Sequence, residues 1–319
     1  MSSLPSSREP VSDVLVTLSR TDAPSRTGER PKRIGLVVHP SRTIDRPLEL
    51  LTEWAGKHGI DVVQIPAAYN QRQVAPEGDA DESDLIVSIG GDGTTLAALR
   101  CGAISGRPVL GIACGSLGAL ATVAVNDVPR SLERFAAGDW HARIFPALSV
   151  ATGSGAAPFA LNDVTVIRAG GGQIRVTAIL DGSLYAHIAG DGAVISTPIG
   201  SSGYAISAGG PLLAPGIEGF ALTPLPKHGG FCPPMVIGPR SALQLDISGR
   251  FSGARLEIDG QVADDRVRSL TISLREGVAT MVSFEGQETP LAGLRRRRII
   301  MDSPRVSGDD DRDSAACPA

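Results

Sequence analysis

The segment best suited to chemistry is the motif Gly90-Gly91-Asp92-Gly93-Thr94, which follows the apolar run at residues 85–89 and precedes a helical pattern. Glycines allow positive φ and close backbone approach, so successive amide N–H groups and the next helix N-terminus can face a phosphate. Asp92 would then be the reactive carboxylate. The alternative is a tight turn in which Asp92 caps the helix. The motif is neither a Walker loop nor a complete dinucleotide fingerprint.

A second candidate site lies in the uncharged stretch at residues 192–217. Of its 26 residues, 14 are Gly, Pro, Ser or Thr, which is too polar and too broken for a bilayer span. Ser201, Ser202 and the backbone at Gly203 could hydrogen-bond the edge of a planar heterocycle, and Tyr204 could stack on its face. A tightly packed turn, whose glycines avoid clashes, is the alternative.

The two segments, in this order and roughly 100 residues apart, resemble the NAD kinase family. GGDGT matches the phosphate-site motif of the family, Leu161-Asn162-Asp163 resembles its Asn-Glu element, and DGAVISTPIGSSGYAISAGGP at residues 191–211 follows its longest signature. Supporting segments are GIACGSLGAL at 111–120, LTPLPKH at 222–228 and DGQ at 259–261. The resemblance extends over residues 33–298.

This resemblance implies a reaction. The terminal phosphoryl group of ATP, or of inorganic polyphosphate, would be transferred to the 2′-hydroxyl of the adenosine ribose of NAD, giving NADP. Mg²⁺ or another divalent ion would neutralise phosphate charge, as is general in phosphoryl transfer. Members of the family assemble as homodimers or homotetramers, and the same is expected here.

The resemblance also assigns roles to residues. Asp92 would orient or deprotonate the acceptor hydroxyl, Asn162 and Asp163 would hydrogen-bond the dinucleotide, and Asp191 would contact one of its ends. The remaining nucleotide-binding residues would be Gly90, Gly91, Gly93, Thr94, Ser201, Ser202, Gly203, Tyr204 and, near the phosphates, His228.

Several positions depart from the family pattern. Asp163 replaces a Glu, Ala113 an Asn and Ala119 a Phe, while Ala189 stands where an Arg often precedes Asp-Gly. The segment at 229–234 also lacks the usual Arg and hydroxyl residues. A non-catalytic NAD(P)-binding regulatory protein is therefore one alternative. A lipid kinase with the same GGDGT loop is another, although residues 115–118 read GSLG instead of that group's Gly-Asn-Asp.

Two domains are expected to position these residues. Alternating strand and helix patterns predict an α/β domain, Rossmann-like with a mostly parallel sheet, at 31–135, with Asp45 as the N-cap of its first helix. Successive strand patterns predict an all-β, sandwich-like domain at 142–293, with hairpin turns at Asp181-Gly182 and Asp259-Gly260. Residues 1–30 are predicted to be a disordered tail, and 294–319 a terminal helix followed by a disordered acidic tail.

The amino-acid composition limits the classes of binding partner that are expected. The 30 basic and 34 acidic residues give a net charge of −4, which argues against a nucleic-acid partner. Four cysteines without metal-ligand spacing, and no secretory signal, predict a cytoplasmic protein without membrane contact. The run RRRR at 295–298 is interpreted as a solvated helix face or as partners for carboxylates within the chain.

Overall fold

The computed structural model describes residues 30–66, 72–152, 158–249 and 253–303. The predicted tails, apart from Arg30 and residues 294–303, lie outside the described residues. In the part of the chain that is described, no helix has both the length and the apolar character that a bilayer span requires.

The elements alternate between strand and helix at first and then become almost entirely β. The helices are α1 (Asp45–His58), α2 (Asp92–Ser105), α3 (Val128–Ala136), α4 (Tyr204–Ser207) and α5 (Pro290–Arg296). The first eight strands are β1 (Arg33–Val38), β2 (Asp61–Gln64), β3 (Leu85–Gly90), β4 (Val109–Ala113), β5 (His141–Thr152), β6 (Phe159–Ala160), β7 (Asp163–Arg168) and β8 (Ile174–Leu180). The others are β9 (Ser183–Gly190), β10 (Gly192–Ser196), β11 (Phe220–Pro224), β12 (Met235–Ile237), β13 (Ala242–Gly249), β14 (Ala254–Ile258), β15 (Gln261–Asp264) and β16 (Ser269–Ser283).

Two sheets contain these strands. In the first, β2, β1, β3 and β4 are parallel neighbours, and the order continues through β16, β13, β8 and β9; β5 also pairs with β16, and β6 pairs with β5. The second is an antiparallel sheet in the order β12-β11-β10-β7-β14-β15. The predicted fold class, a mostly parallel α/β part followed by an antiparallel β part, is confirmed.

Three apolar clusters hold these layers together. One fills the space between the antiparallel part of the first sheet and the second sheet, and its largest fully buried side chain is Phe220. The parallel strands are covered on one face by α1 and α3, through Leu51 and Leu132, and on the other by α2, through Leu99. Strand β16 contributes to all three clusters and so joins the two predicted domains. The boundaries at 135 and 142 stay predictions.

The structure differs from the sequence predictions at several elements. Residues 269–283 form one strand with an irregularity between Arg275 and Ala279, where the sequence pattern predicts two separate strands, at 270–274 and 280–284. Strand β5 was not predicted, and its burial does not alternate regularly. Helix α2 begins at Asp92, four residues before the start at Leu96 that the helical pattern of residues 96–104 predicts. The prediction that Asp45 is the N-cap of α1 is wrong: Ile44 is the N-cap, and Asp45 lies in the first turn. Both predicted hairpin turns are confirmed, with positive φ at Asp181-Gly182 and Asp259-Gly260.

The core between the sheets supplies a stability prediction. Phe220→Ala should lower the free energy of unfolding by about 3 to 5 kcal/mol, because it leaves a cavity in a closely packed interior. Urea denaturation measures the change. Phe231→Ala is the matched control, since the Phe231 side chain is 90% exposed and its loss should change stability little. Equal effects of the two substitutions would contradict the assigned core.

Candidate active site

The glycine motif forms the junction between β3 and α2. Gly90 ends the strand and is buried, and Gly91 is the N-cap of α2 in an extended conformation. Contrary to expectation, neither these two nor Gly93 uses positive φ. Gly90 is required by packing, since a Cβ there would lie 2.3 Å from Thr94 Oγ1, and Thr94 itself is buried. The motif therefore brings backbone and side chains close together instead of forming a left-handed turn.

The Asp92 carboxylate, at the first residue of α2, accepts four N–H donors. Oδ1 accepts from the amides of Leu120 (2.9 Å) and Ala121 (3.1 Å). Oδ2 accepts from the amide of Ala119 (3.0 Å) and from Nη1 of Arg297 (3.1 Å). The ring of amides around Asp92 thus comes from the segment after β4, which the sequence analysis had noted only as a supporting motif.

Gly118 makes this arrangement possible. A Cβ at this position would lie 1.9 Å from Asp92 Oδ1, a distance that no side chain could occupy. The Gly118 amide also donates to the Ala121 carbonyl at 2.8 Å, which closes the loop around the carboxylate. The GSLGAL segment therefore forms a loop that binds the Asp92 carboxylate, hereafter the Asp92-binding loop.

Three arginines surround this carboxylate and the glycine motif. Arg143 donates to the Ala119 carbonyl at 3.1 Å; burial lowers the pKa of Arg143, and the negative charge of Asp92 partly opposes that shift. Arg297 belongs to the RRRR run, and three arginines of this run pair with carboxylates of the chain, as one of its two interpretations predicts. Arg42 follows β1, and its Nη1 would lie 3.5 Å from a Cβ placed on Gly91.

A second buried carboxylate, Asp259, fixes the Asn162-Asp163 element. It lies in the turn between β14 and β15, and its side chain is 3% exposed. Oδ1 accepts from the amides of Asn162 (2.7 Å) and Asp163 (3.2 Å), and Oδ2 from the amide of Leu161 (3.0 Å). Arg100 Nη1 completes the set at 2.6 Å.

This cluster connects the two signature segments, the glycine motif at residues 90–94 and the second signature at residues 191–211. Arg100 belongs to α2, the helix that begins with Asp92. On the other side, the Asn162 carbonyl accepts the Thr197 amide at 2.9 Å, and a Cβ on Gly200 would lie 2.0 Å from that same oxygen. Asp259 therefore fixes the position of the second signature relative to α2.

Asp163, Asp191 and Tyr204 form an acidic region beyond this contact. Burial, followed by the charge of Asp259, raises the pKa of Asp163 to about 6. Burial, and then the charges of Glu257, Asp191 and Asp163, raise the pKa of the Tyr204 phenol. Asp191 pairs with Nε of Arg168 at 2.6 Å, so a neighbouring strand supplies a cation close to the position where Ala189 replaces the usual Arg.

The other predicted residues of the second signature differ in exposure and in whether their polar groups are already hydrogen-bonded within the protein. The buried Ser201 hydroxyl donates to the Pro198 carbonyl (2.7 Å) and accepts the Leu213 amide (3.0 Å), so it holds the turn together. Ser202 donates to the Ile199 carbonyl at 3.1 Å. Gly203 and Tyr204 are exposed, as is His228, whose amide donates to the Ala189 carbonyl at 2.9 Å.

A largely apolar cavity of about 390 Å³ lies between the Asp92-binding loop and the second signature. Ala119 and Arg143 line one side, Ile199 and Ser202 another, and Leu294 of α5 a third. A Phe at position 119 would project its ring into this region, so Ala119 enlarges the space. The cavity can take a planar apolar group, and Ala119 on its wall donates its amide to Asp92 Oδ2.

The Asp259 cluster yields a stability prediction. Asp259→Asn should cost about 1 to 3 kcal/mol of unfolding free energy, because an amide cannot accept all four donors. Asp181→Asn is the matched control: Asp181 has the same turn conformation, but it is exposed, and the loss should be much smaller. Urea denaturation compares the two, and equal losses would count against the role given to Asp259.

The raised pKa of Asp163 predicts a pH dependence. Between about pH 4 and about pH 6 the folded protein holds a proton that the unfolded chain has released, so stability falls as pH rises through this range. Relative to Asp163→Asn, the wild type should lose on the order of 2 kcal/mol between these pH values.

The control for this measurement has the opposite sign. A backbone hydrogen bond from Ala242 lowers the pKa of Asp181, so its stabilising contribution is present above the ordinary aspartate pKa and is lost as pH falls below it. Urea titrations of both Asp→Asn variants across pH test the pair. A pH-independent difference between wild type and Asp163→Asn would refute the shift.

Comparisons with known proteins identify the family of the chain. The ATP-NAD kinase N-terminal domain model matches residues 57–140, and the ATP-NAD kinase C-terminal domain model matches residues 161–285. The NAD kinase of Acidobacterium capsulatum is 35% identical over 247 residues, covering 73% of this chain and 85% of the relative. That of Heliobacterium modesticaldum is 35% identical over 220 residues, covering 67% and 78%.

Solved structures of the same fold are also similar. An NAD kinase from Archaeoglobus fulgidus, in complex with ATP, superposes with a TM-score of 0.66 at 25% identity and covers 84% of this chain and all of its own. Yeast NADH kinase, complexed with NADH, has a TM-score of 0.70 at 17% identity, with coverage of 85% and 89%. The matched domains, the relatives and the shared fold together establish that the chain belongs to the NAD kinase family.

Proposed function

We propose that this NAD kinase transfers the terminal phosphoryl group of ATP to the 2′-hydroxyl of the adenosine ribose of NAD at Asp92. The observation that carries the proposal is the position of the Asp92 carboxylate, at the N-terminus of α2 and beside the cavity lined by Ala119 and Ser202. An adenine in that cavity would place its ribose next to the carboxylate. The ATP complex of the Archaeoglobus fulgidus relative supports ATP as the donor.

The phosphate groups would lie at the carboxyl ends of β1 and β3. Strand order reverses between these neighbours, because β2 follows β1 on one side and β4 follows β3 on the other; such switch points form the ligand crevice of open parallel sheets. The crevice contains the Gly91 backbone, Thr94 at the first turn of α2, and Arg42. Backbone amides and the positive helix N-terminus favour bound phosphate there.

Asp92 acts on the acceptor hydroxyl in this proposal. A carboxylate fixed by several donors orients the hydroxyl for in-line attack and accepts its proton as the new P–O bond forms. Its rigidity is useful, because misplacement of the reacting oxygen by about 1 Å is costly in rate. The glycine at 118 and the amides of 119–121 supply that rigidity.

The remaining assigned residues would bind the dinucleotide. Asn162 and Asp163, fixed by Asp259, would hydrogen-bond it, Ser202 would contact the adenine side, and Tyr204 would stack at the exposed mouth. Ser201 would act through the shape of its turn, since its hydroxyl is committed to the backbone. Asp191 would contact one end of the dinucleotide, and His228 would lie near the phosphates.

A divalent ion would arrive as part of the metal–ATP substrate. Within the described ranges, no group of three or more His, Cys, Asp or Glu side chains could hold a metal. Mg²⁺ is commonly bound through substrate phosphates and retained waters rather than in a protein cage.

We also propose that the enzyme works in the cytoplasm as a homodimer or homotetramer and that inorganic polyphosphate can serve as a second donor. Neither the regulatory-protein nor the lipid-kinase alternative is favoured by any comparison.

A turnover assay tests the proposal. Purified protein with NAD, Mg²⁺ and ATP should form NADP, measured with an NADP-specific dehydrogenase, and polyphosphate is tested in place of ATP. Asp92→Asn should reduce the rate by at least about 10³-fold, because the amide can neither accept the proton nor keep its four donors.

The control is Asp81→Asn, an exposed carboxylate outside the site, which should keep the wild-type rate. Absence of NADP with either donor would refute the proposed function. Full activity of Asp92→Asn would remove Asp92 from the mechanism.

A further inference from the structure

The hydrogen-bond count at Asp92 raises a question for the proposed reaction, on which this inference rests. An ionised carboxylate offers about four lone-pair positions, two on each oxygen. All four are filled, by the amides of residues 119, 120 and 121 and by Arg297 Nη1. An acceptor hydroxyl can therefore donate to Asp92 only if one of these donors leaves.

The three backbone donors cannot easily leave. Their loop is closed by the Gly118 amide on the Ala121 carbonyl at 2.8 Å, and Arg143 holds the Ala119 carbonyl at 3.1 Å. The amides of Thr122 and Val123 both donate to the Gly111 carbonyl in β4, at 3.1 Å and 3.0 Å. Moving one amide would require breaking several of these bonds together.

Arg297 is the donor that can leave. It is the only one of the four carried by a side chain, and rotations about its side-chain bonds can withdraw it without moving the backbone. Its ion pair with Asp92 is partly open to solvent, with side chains 25% and 33% exposed, so the pair is screened more than a fully buried one.

The guanidinium of Arg297 also has unused hydrogen-bonding capacity. Its Nη2 is buried and has no hydrogen-bond partner among the described residues, while Nε donates to the Gly293 carbonyl at 3.2 Å. A buried N–H without a partner is costly, and a phosphate oxygen would satisfy it. Guanidinium groups match phosphate oxygens in a bidentate geometry and keep their charge.

We propose that Arg297 is an exchangeable donor and a catalytic residue of the phosphoryl transfer. In the free enzyme it occupies the fourth acceptor position of Asp92. When NAD and ATP bind, the ribose hydroxyl takes that position, and the guanidinium binds the oxygens of the transferred phosphoryl group. It then stabilises the charge that these oxygens carry in the transition state.

Arg297 is not required to hold α5 in place. Arg296 donates to the Leu117 carbonyl at 2.7 Å and pairs with Glu288, Leu294 is buried, and the Thr289 hydroxyl caps the helix at the Ala292 amide. These contacts remain when Arg297 is replaced. Substitution at 297 therefore tests chemistry with the helix in position.

The experiment compares Arg297→Ala and Arg297→Lys with Arg295→Ala, whose exposed arginine pairs with Asp302. For Arg297→Ala we expect kcat to fall about 10²- to 10³-fold, as when one transition-state donor is removed. NAD should bind with equal or higher affinity in calorimetry without ATP, because a competing donor is gone. Added guanidinium chloride should restore at least about tenfold in rate, Lys should retain part of kcat, and Arg295→Ala should match wild type.

The outcomes separate this proposal from the proposed function. Wild type that forms no NADP refutes the proposed function itself. With active wild type, the Arg297 role alone is overturned by a kcat of Arg297→Ala within about threefold of wild type, by weakened NAD binding as the main effect, or by absence of rescue. Thermal melting is measured for each variant; should Arg297→Ala melt below the assay temperature, Arg297→Gln carries the same rescue test.

Discussion

The buried carboxylate of Asp259 is the contact on which the geometry of the site depends. It accepts three consecutive backbone amides, at residues 161–163, and the guanidinium of Arg100. A buried anion is tolerated only when its acceptor positions are satisfied, so the segment, the turn and the helix have one compatible arrangement. Because Arg100 lies on the helix that begins with Asp92, that arrangement also fixes the Asp92 carboxylate relative to the Asn162-Asp163 segment.

Close approach explains three glycines of the site, whereas Gly115, Gly192 and Gly209 of the same segments have positive φ. Gly118 admits the Asp92 carboxylate, Gly90 admits the Thr94 side chain, and Gly200 admits the Asn162 carbonyl, each at a distance that excludes a Cβ. None of the three has positive φ. At these three positions the missing Cβ allows a hydroxyl, carboxylate or carbonyl oxygen to approach the backbone closely.

Several features that depend on local sequence patterns were predicted correctly. The strands of the parallel sheet, the two Asp-Gly turns and the family signatures all depend on residues near one another in the chain, and they were found. Strand β16 was divided because its irregularity between Arg275 and Ala279 interrupts the pattern, although both halves pair with β5. Only the fold shows that this one strand continues from the parallel sheet into the antiparallel part.

The carboxylate partners of Arg100 and Arg297 were not identified from the sequence, for a related reason. Arg100 meets Asp259 across 159 positions of sequence, and Arg297 meets Asp92 across 205. No spacing rule links residues so far apart. The departure at Ala189 suggested the loss of a cation, whereas the structure places Arg168 on Asp191 from a neighbouring strand. A missing residue in a motif is thus weak ground for inferring lost function.

The distribution of charge is compatible with binding of the ATP phosphates by a chain with a net charge of −4. Arg42, Arg143 and Arg297 lie around the glycine motif and Asp92, whereas Asp163, Asp191 and Glu257 lie together near Tyr204. Local fields are decided by such nearby groups, because charges beyond about 10 Å are screened at ordinary salt. The cationic end suits the donor phosphates, and the acidic end would repel them. The same separation thus favours one orientation of the substrates, with phosphate groups at the sheet edge and uncharged or cationic groups of the dinucleotide toward Tyr204.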